Sequence, residues 1–150
     1  MNDKTAVIVD LDGTLCNTTH RQHFLDKNPP DWESFNLHCS YDTPNVFVRE
    51  VVFDHFLQNR RVHIFTGREG TSLVHARTVE WLKKHKVPFD GLWMREEGDY
   101  CPAPELKDKL LNEFYKRCPR QRILCVYEDD PKAIAMFRER GITCMEVRPV

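Results

Sequence analysis

The chain has 150 residues, with 22 Lys and Arg against 23 Asp and Glu, so its formal net charge is −1 at neutral pH. This length suits a single domain with a substantial core, and no segment approaches the roughly 20 consecutive apolar residues of a membrane-spanning helix. The near-neutral balance excludes a protein that binds nucleic acid through its overall charge, so any such binding must be local.

The first predicted element is a strand over residues 6–10, whose β-prone apolar residues predict burial on both faces. Asp10 and Asp12 follow at its carboxyl end, the edge at which open α/β sheets bind ligands. Two such carboxylates repel each other unless a cation or a shared proton lies between them. The alternative interpretation is a plain turn whose aspartates cap a helix.

Residues 17–43 are a long connection, and long connections in compact domains tend to be lids or binding elements. We expect short helices within it, around residues 21–26 and 32–38. Three histidines and a cysteine suggest a zinc site: His20, His23, His38 and Cys39. Their spacing matches no established zinc-finger pattern, which favours solvated or packed side chains.

The remaining elements alternate between helix and strand. Thr43 and Pro44 predict the N-cap and first residue of a helix that runs to about Asn59. Further helices are predicted over 72–86, 104–117 and 131–140, and further strands over 62–65, 91–94, 123–127 and 143–147. This alternation predicts an α/β fold with a parallel sheet and right-handed crossovers.

Polar residues of complementary chemistry follow the predicted strands. They are Asp10 and Asp12, the run Thr66-Gly67-Arg68, Lys107 near the start of the predicted helix 104–117, and the run Glu128-Asp129-Asp130. Carboxylates at neighbouring strand ends form the oxygen-rich site that Mg²⁺ prefers, and the threonine, arginine and lysine supply the donors that a phosphoryl group requires. A carboxylate can also act as a covalent nucleophile, and a second one as general acid and base.

These motifs, in this order, resemble the four motifs of the haloacid dehalogenase superfamily of phosphatases. The resemblance covers essentially the whole chain and implies a Rossmann-like three-layer sandwich in one domain, residues 1–150, with residues 17–43 as a minimal cap insertion. It implies that Asp10 is the nucleophile and Asp12 the general acid and base, that Thr66 binds a phosphoryl oxygen and that Lys107 neutralises the phospho-aspartate. It also implies a Mg²⁺ site of four acids: Asp10, Asp12, Glu128 and Asp129.

A narrower resemblance, to the 3′-phosphatase domain of phage-type polynucleotide kinase–phosphatase, lies in the flanking residues. These are the segments 66–69 and 94–99, and Met136-Phe137-Arg138 before Gly141. By this resemblance Arg21, Gly67 and Arg68 bind the substrate. The chain departs from the family's pattern at two positions. The family has an acidic residue where this chain has Ala103, and a basic residue where this chain has Asp130.

The favoured interpretation is a Mg²⁺-dependent 3′-phosphatase with an aspartyl-phosphate intermediate, which acts on nucleic-acid ends or nucleotides in end repair. The alternative is a small-molecule phosphatase of the same superfamily, for a 5′-nucleotide or sugar phosphate. A degenerate binding module would lack Asp10, Asp12 or Lys107, and all three are present. A segment of 27 residues (17–43) is too short to enclose a small substrate, so we expect an open site. An open site admits the end of a nucleic-acid chain, which favours the first interpretation.

Residues beside the motifs bear on this choice. Arg95 is a candidate phosphate contact, and Trp32 and Phe35 either stack on a base or simply pack on the core. No Gly-x-x-x-x-Gly-Lys-Ser/Thr phosphate loop occurs in the sequence, so 5′-kinase activity is not expected. The start of the chain lacks a signal-peptide pattern, so we expect a cytoplasmic protein with reduced cysteines (host cytoplasm, if a phage encodes it), without a membrane partner.

Overall fold

A computed structural model describes residues 4–148 of the chain. Seven strands are present in this part: β1 (Lys4–Asp10), β2 (Cys16–Asn17), β3 (Thr43–Pro44), β4 (Arg61–Glu69), β5 (Gly91–Arg95), β6 (Gln121–Glu128) and β7 (Cys144–Glu146). Five α-helices accompany them: α1 (Trp32–Leu37), α2 (Val46–Leu57), α3 (Ser72–Lys84), α4 (Ala103–Arg117) and α5 (Pro131–Glu139).

Five of the strands form one sheet in the order β5-β4-β1-β6-β7, and every pairing in it is parallel. β1 is the central strand, with β4 and β6 on either side of it. The predicted α/β class with a central parallel sheet is therefore confirmed. Because parallel strands end at the same edge, the residues that follow β1, β4 and β6 meet there.

The core has two halves because successive residues of β1 face opposite sides of the sheet. Val7 and Val9 pack in a cluster with side chains from α2 and α3, including Val52 and Trp81. Ala6 and Ile8 belong to a second cluster built on α4 and α5, which includes Leu111, Phe114 and Phe137. Helices thus cover both faces, as the predicted three-layer sandwich requires.

Residues 17–43 contain the short helices expected there, as 3₁₀ turns at Thr19–Phe24 and His38–Tyr41 around α1. The segment is fixed to α3, because Trp81 donates its indole N–H to the carbonyl of Asp42 at 2.8 Å and Arg77 donates to the carbonyl of Leu37. None of the helices described within residues 4–148 has the length and apolar character needed to cross a membrane.

Two predicted boundaries are wrong. Thr43 and Pro44 do not open α2 but pair with β2 as the short strand β3, and the helix begins at Val46 after Asn45. The second long strand does not end before Thr66, because β4 continues to Glu69, with a register shift against β5 after Thr66. Residues 67 and 68 lie at this shift, and pairing with β5 resumes at Glu69, opposite Arg95.

Candidate active site

The carboxyl edge of the sheet brings Asp10, Lys107 and Glu128 together. The Lys107 ammonium donates to Asp10 Oδ1 at 2.7 Å, to Glu128 Oε2 at 2.8 Å and to the carbonyl of Phe65 at 3.1 Å. Lys107 reaches this position from the second turn of α4, whose neighbours Leu106 and Leu110 are buried in the core. One buried cation thus links three neighbouring strands, β1, β4 and β6.

Asp129 lies beside this triad. The hydroxyl of Thr14 donates to Asp10 Oδ2 at 3.0 Å and also contacts Asp129 Oδ1 at 3.4 Å. Glu128 Oε1 accepts the backbone N–H groups of Asp129 and Asp130, both at 3.1 Å. Gly13, with φ of +85°, permits the close approach, since a Cβ there would lie 2.1 Å from Asp129 Oδ2.

These neighbours move the pKa values in opposite directions. Burial, and then the charge of Glu128, raise the pKa of Asp10 well above its usual value despite the nearby Lys107. Burial also raises the pKa of Asp129, to about 6. Burial acts in the same direction on Glu128, but the Lys107 ammonium outweighs it and lowers the pKa of that carboxyl. The pocket holds more negative charge than Lys107 alone neutralises.

The excess negative charge of this pocket suits the binding of a hard divalent cation. Carboxylate oxygens of Asp10, Glu128 and Asp129 all lie within 4.8 Å of one another. Oxygen-only donors at this spacing suit Mg²⁺, and a bound cation would favour the ionised forms of Asp10 and Asp129, which burial disfavours. Asp12, the fourth predicted ligand, has its carboxylate elsewhere, in a cluster with Cys16 and Asp42.

Asp12 is held by two buried arginines. Arg21 Nη2 donates to Asp12 Oδ1 at 2.7 Å, and Arg68 Nη2 donates to the same oxygen at 2.6 Å. The side chains of both arginines are 0% exposed. Burial alone would raise the pKa of Asp12, but the Arg68 and Arg21 guanidiniums lower it below its usual value. Asp10 and Asp12 are therefore neutralised separately, and no shared cation between them is needed.

A second carboxylate, that of Asp42, completes this group. Asp42 accepts from Arg21 Nε at 2.8 Å and Nη2 at 2.7 Å, and from Arg68 Nη2 at 3.1 Å. His20 lies 2.7 Å from its Oδ1. We call Asp12, Arg21, Asp42 and Arg68 the buried ion-pair network. Its two acids and two arginines balance, and one member of each charge, Arg21 and Asp42, comes from residues 17–43.

The sequence prediction missed Asp42 and gave no role to Thr14. Asp42 precedes a Thr-Pro pair that resembles a helix cap, so no local signal marked it as a buried ion-pair partner. Thr14 was within a recognised motif, and its position four residues after Asp10 is the signal that would have found it.

A cavity of about 270 Å³ opens over the site. Its walls include most of the predicted site residues: Asp10, Asp12, Gly67, Arg68, Lys107, Glu128 and Asp129. Thr66 is fully buried below Gly67, and its hydroxyl accepts from the backbone N–H of Arg68 at 3.2 Å. Arg21 lies behind Asp12, where its Nη1 donates to the carbonyl of Phe35 at 2.9 Å.

Several residues singled out beside the motifs have other surroundings. Within residues 4–148, His20, His23, His38 and Cys39 form no group spaced to hold a metal, so the zinc interpretation is not supported. Phe35 is buried with the Arg21 guanidinium 4.0 Å from its ring centre, so it packs and does not stack on a base. Arg95 donates from Nε to the carbonyl of Gly67 at 2.9 Å, and Trp32 remains exposed.

Comparison with known proteins agrees with this geometry. Residues 4–150 match the family described as the polynucleotide kinase PNKP phosphatase domain. No curated protein matches the sequence significantly.

Among solved structures, a chain of the Pnkp1/Rnl/Hen1 RNA repair complex is 26% identical with a TM-score of 0.81, over 96% of this chain and 42% of that one. This chain thus spans less than half the length of that relative. A class C acid phosphatase from Bacillus anthracis shares the fold at 11% identity, with a TM-score of 0.70 over 99% of this chain and 68% of the other. A haloacid dehalogenase-like hydrolase from Streptococcus pneumoniae does so at 16% identity, with a TM-score of 0.64 over 97% and 85%.

Proposed function

The chain belongs to the family of the polynucleotide kinase PNKP phosphatase domain and is a phosphatase of the haloacid dehalogenase type, and from this premise we propose that it removes 3′-phosphates from nucleic-acid ends through an aspartyl-phosphate. The observation that carries the proposal is the pairing of Asp10 with Lys107 at 2.7 Å on the wall of an open cavity. A carboxylate beside a buried ammonium can accept a phosphoryl group while its negative charge stays compensated.

In the first step, a carboxylate oxygen of Asp10 attacks phosphorus and forms an O–P bond as the bond to the leaving oxygen breaks. Lys107, bonded to both Asp10 and Glu128, stabilises the negative charge beside the acyl phosphate. Thr14 fixes the other carboxylate oxygen by its hydrogen bond at 3.0 Å, so the nucleophile is held by two donors. Mg²⁺, when held by Asp10, Glu128 and Asp129, supplies charge neutralisation for the phosphoryl oxygens.

Asp12 has the proton-transfer role in this proposal. It gives a proton to the leaving oxygen in the first step and takes one from the water that hydrolyses the acyl phosphate in the second. In the free chain the arginines lower its pKa, so it begins ionised. A bound phosphate dianion brings like charge close to Asp12 and raises its pKa, so Asp12 takes up from bulk water the proton that it then gives to the leaving oxygen.

The open site supports a polynucleotide end as substrate. Residues 17–43 pack against α3 and leave the cavity over Asp10 open to solvent. A nucleic-acid strand can therefore extend out of the site while its 3′ end is bound there. A similar structure belongs to an RNA repair complex, and we extend that role in nucleic-acid end repair to this chain.

A phosphate-release panel with Mg²⁺ tests the proposal. It compares 3′-phosphorylated oligonucleotides with 3′- and 5′-mononucleotides, sugar phosphates and an aryl phosphate. We expect 3′-phosphorylated ends to be preferred and their hydrolysis to weaken as salt rises, because backbone contacts release counterions. A preference for sugar phosphates or 5′-nucleotides would instead make the chain a small-molecule phosphatase of the same superfamily.

The variant Asp10→Asn tests the nucleophile. We expect no turnover with any substrate, since an amide cannot form the acyl phosphate, and a folded protein of undiminished thermal stability, since burial already disfavours the charged form of Asp10. The control is Asp26→Asn, which changes an exposed acid in the connection after β2. Turnover by Asp10→Asn at the control's rate would exclude the aspartyl-phosphate mechanism.

A further inference from the structure

A second cavity adjoins the one over Asp10. It has a volume of about 310 Å³ and shares five lining residues with the first: Trp32, Asn36, Gly67, Arg95 and Ala103. Tyr100, Cys101 and Pro102 complete its far wall. The two cavities are therefore contiguous, and a ligand anchored by a phosphoryl group at Asp10 can extend into the second.

Two aromatic side chains on this cavity are exposed to solvent. Trp32 is 56% exposed at the start of α1, and Tyr100 is 80% exposed in the connection between β5 and α4. Trp32 is held in place, since its ring meets the buried Phe35 edge-on at 5.7 Å. Rings of this size left in water at a cavity provide flat apolar surface for a planar partner.

The loop that carries Tyr100 is braced, although its side chain is exposed. Arg95 Nη1 donates to the carbonyls on both sides of Tyr100, those of Asp99 at 3.1 Å and Cys101 at 2.7 Å. The N–H of Cys101 donates in turn to Asp99 Oδ1 at 3.0 Å. The same arginine is anchored to Gly67, so the backbone at Tyr100 is fixed relative to the candidate active site. A backbone fixed in advance lowers the conformational entropy that is lost when a ligand binds.

The charges of this region disfavour a second phosphate. The charged residues described on its walls, Glu69 and Arg95, have opposite signs, and the adjoining loop adds Glu96 and Glu97. The cavity over Asp10, by contrast, has many charged residues of both signs on its walls, with Arg68 and Lys107 as donors for a phosphoryl group. A charged pocket beside an apolar one suits a phosphoryl group joined to a flat, uncharged ring.

We propose that the cavity between Trp32 and Tyr100 is the subsite for the nucleobase of the 3′-terminal nucleotide, whose phosphate lies at Asp10. This rests on the proposed function and specifies how that site distinguishes a nucleic-acid end from other phosphomonoesters. Stacking on aromatic side chains is tolerant of base identity, so the subsite accepts every base.

Kinetics with matched substrates test the subsite. One oligonucleotide has a complete 3′-terminal nucleotide 3′-phosphate, and the other has the same phosphate on an abasic terminal sugar. We expect Trp32→Ala and Tyr100→Ala each to raise KM for the complete end by about 5- to 150-fold, the range that stacking on one base spans, and to leave KM for the abasic end unchanged. Tyr100→Phe, which keeps the ring, should retain the wild-type KM.

The matched control is Phe47→Ala, since Phe47 (77%) is about as exposed as Tyr100 but lies on α2 beside a different cavity.

Fluorescence gives a readout independent of turnover. Of the three tryptophans, Trp81 and Trp93 are buried, so quenching of the inactive Asp10→Asn protein by the complete oligonucleotide reports on Trp32. We expect saturable quenching that Tyr100→Ala weakens and that the abasic oligonucleotide does not produce.

The outcomes separate this inference from the proposed function. If the wild type hydrolyses 3′-phosphorylated ends but both alanine variants match the Phe47→Ala control, the subsite is excluded and the proposed function stands. Equal losses on complete and abasic ends would mean that Trp32 and Tyr100 are merely structural, which also overturns the inference. A wild type that prefers sugar phosphates overturns both.

Discussion

Asp42 offers a sharp test of the buried ion-pair network because it does not itself line the cavity over Asp10. Asp42→Asn keeps the size of the side chain and removes one negative charge from a group in which two acids balance two arginines. Arg21 and Arg68 would then share Asp12 as their single carboxylate partner among the described residues. One buried guanidinium is left without full compensation.

The structure sets the size of the expected effect. Breaking a buried ion pair by removing one partner costs about 3–5 kcal/mol, because the other charge stays desolvated. For a chain of this length each kcal/mol lowers Tm by roughly 2–4 °C, so Asp42→Asn should lower Tm by roughly 6–20 °C. Activity should fall on all substrates, most for those with poor leaving groups, because undivided attraction to both arginines lowers the pKa of Asp12 further and leaves less of it protonated to act as the general acid.

Urea unfolding and phosphate release on the same preparations measure both effects. Glu113→Ala is the control, because it breaks the exposed pair with Lys116 at 3.2 Å and should cost less than about 1 kcal/mol. Adding Arg21→Gln to Asp42→Asn restores the charge balance, so the double variant should lose less stability than the two single losses combined. An Asp42→Asn protein within about 1 kcal/mol of wild type would refute the reasoning, as would strict additivity.

Three further expectations follow from the site and the core. Asp12→Asn should slow hydrolysis of alkyl phosphates by ~10²–10⁴-fold and that of aryl phosphates much less, and equal losses would exclude Asp12 as the acid. EDTA should stop activity, and Asp129→Asn should raise the Mg²⁺ concentration needed for half-maximal rate; full activity in EDTA would contradict the metal assignment. Burial lowers the pKa of His63 in the folded chain, so the unfolded chain binds its proton first and stability should fall as pH drops below about 6.5. His63→Gln should flatten that slope in urea unfolding at pH 5–8, and an unchanged slope would assign it to other groups.

The sheet and its edge could be predicted because their signals are local and repeated. The apolar run before Asp10 marks a strand buried on both faces, and β1 is indeed the central strand. For β1, one short stretch of sequence determines both the element and the place of its polar end. The prediction that Lys107 neutralises the phospho-aspartate came from the family resemblance, and its ammonium lies 2.7 Å from Asp10 Oδ1.

Other features depend on contacts between distant residues and could not be predicted in this way. Pro44 is typical of a first helical residue, but its segment pairs with β2 28 positions earlier, across from Cys16. The prediction that Arg21 and Arg68 bind substrate followed from the family's motif, and it stays a prediction. No local signal indicated that Asp42, 21 positions after Arg21, accepts hydrogen bonds from both arginines.

The buried ion-pair network determines which parts of this scaffold can be exchanged. Residues 17–43 supply Arg21 and Asp42 to a network that includes Asp12, so transplanting another phosphatase's cap at this position would deprive Asp12 and Arg68 of one buried partner each. The loop that carries Tyr100 contributes no member to the network and is attached mainly through Arg95 and Asp99. Protein engineering for new substrates should therefore vary that loop and keep the insertion intact.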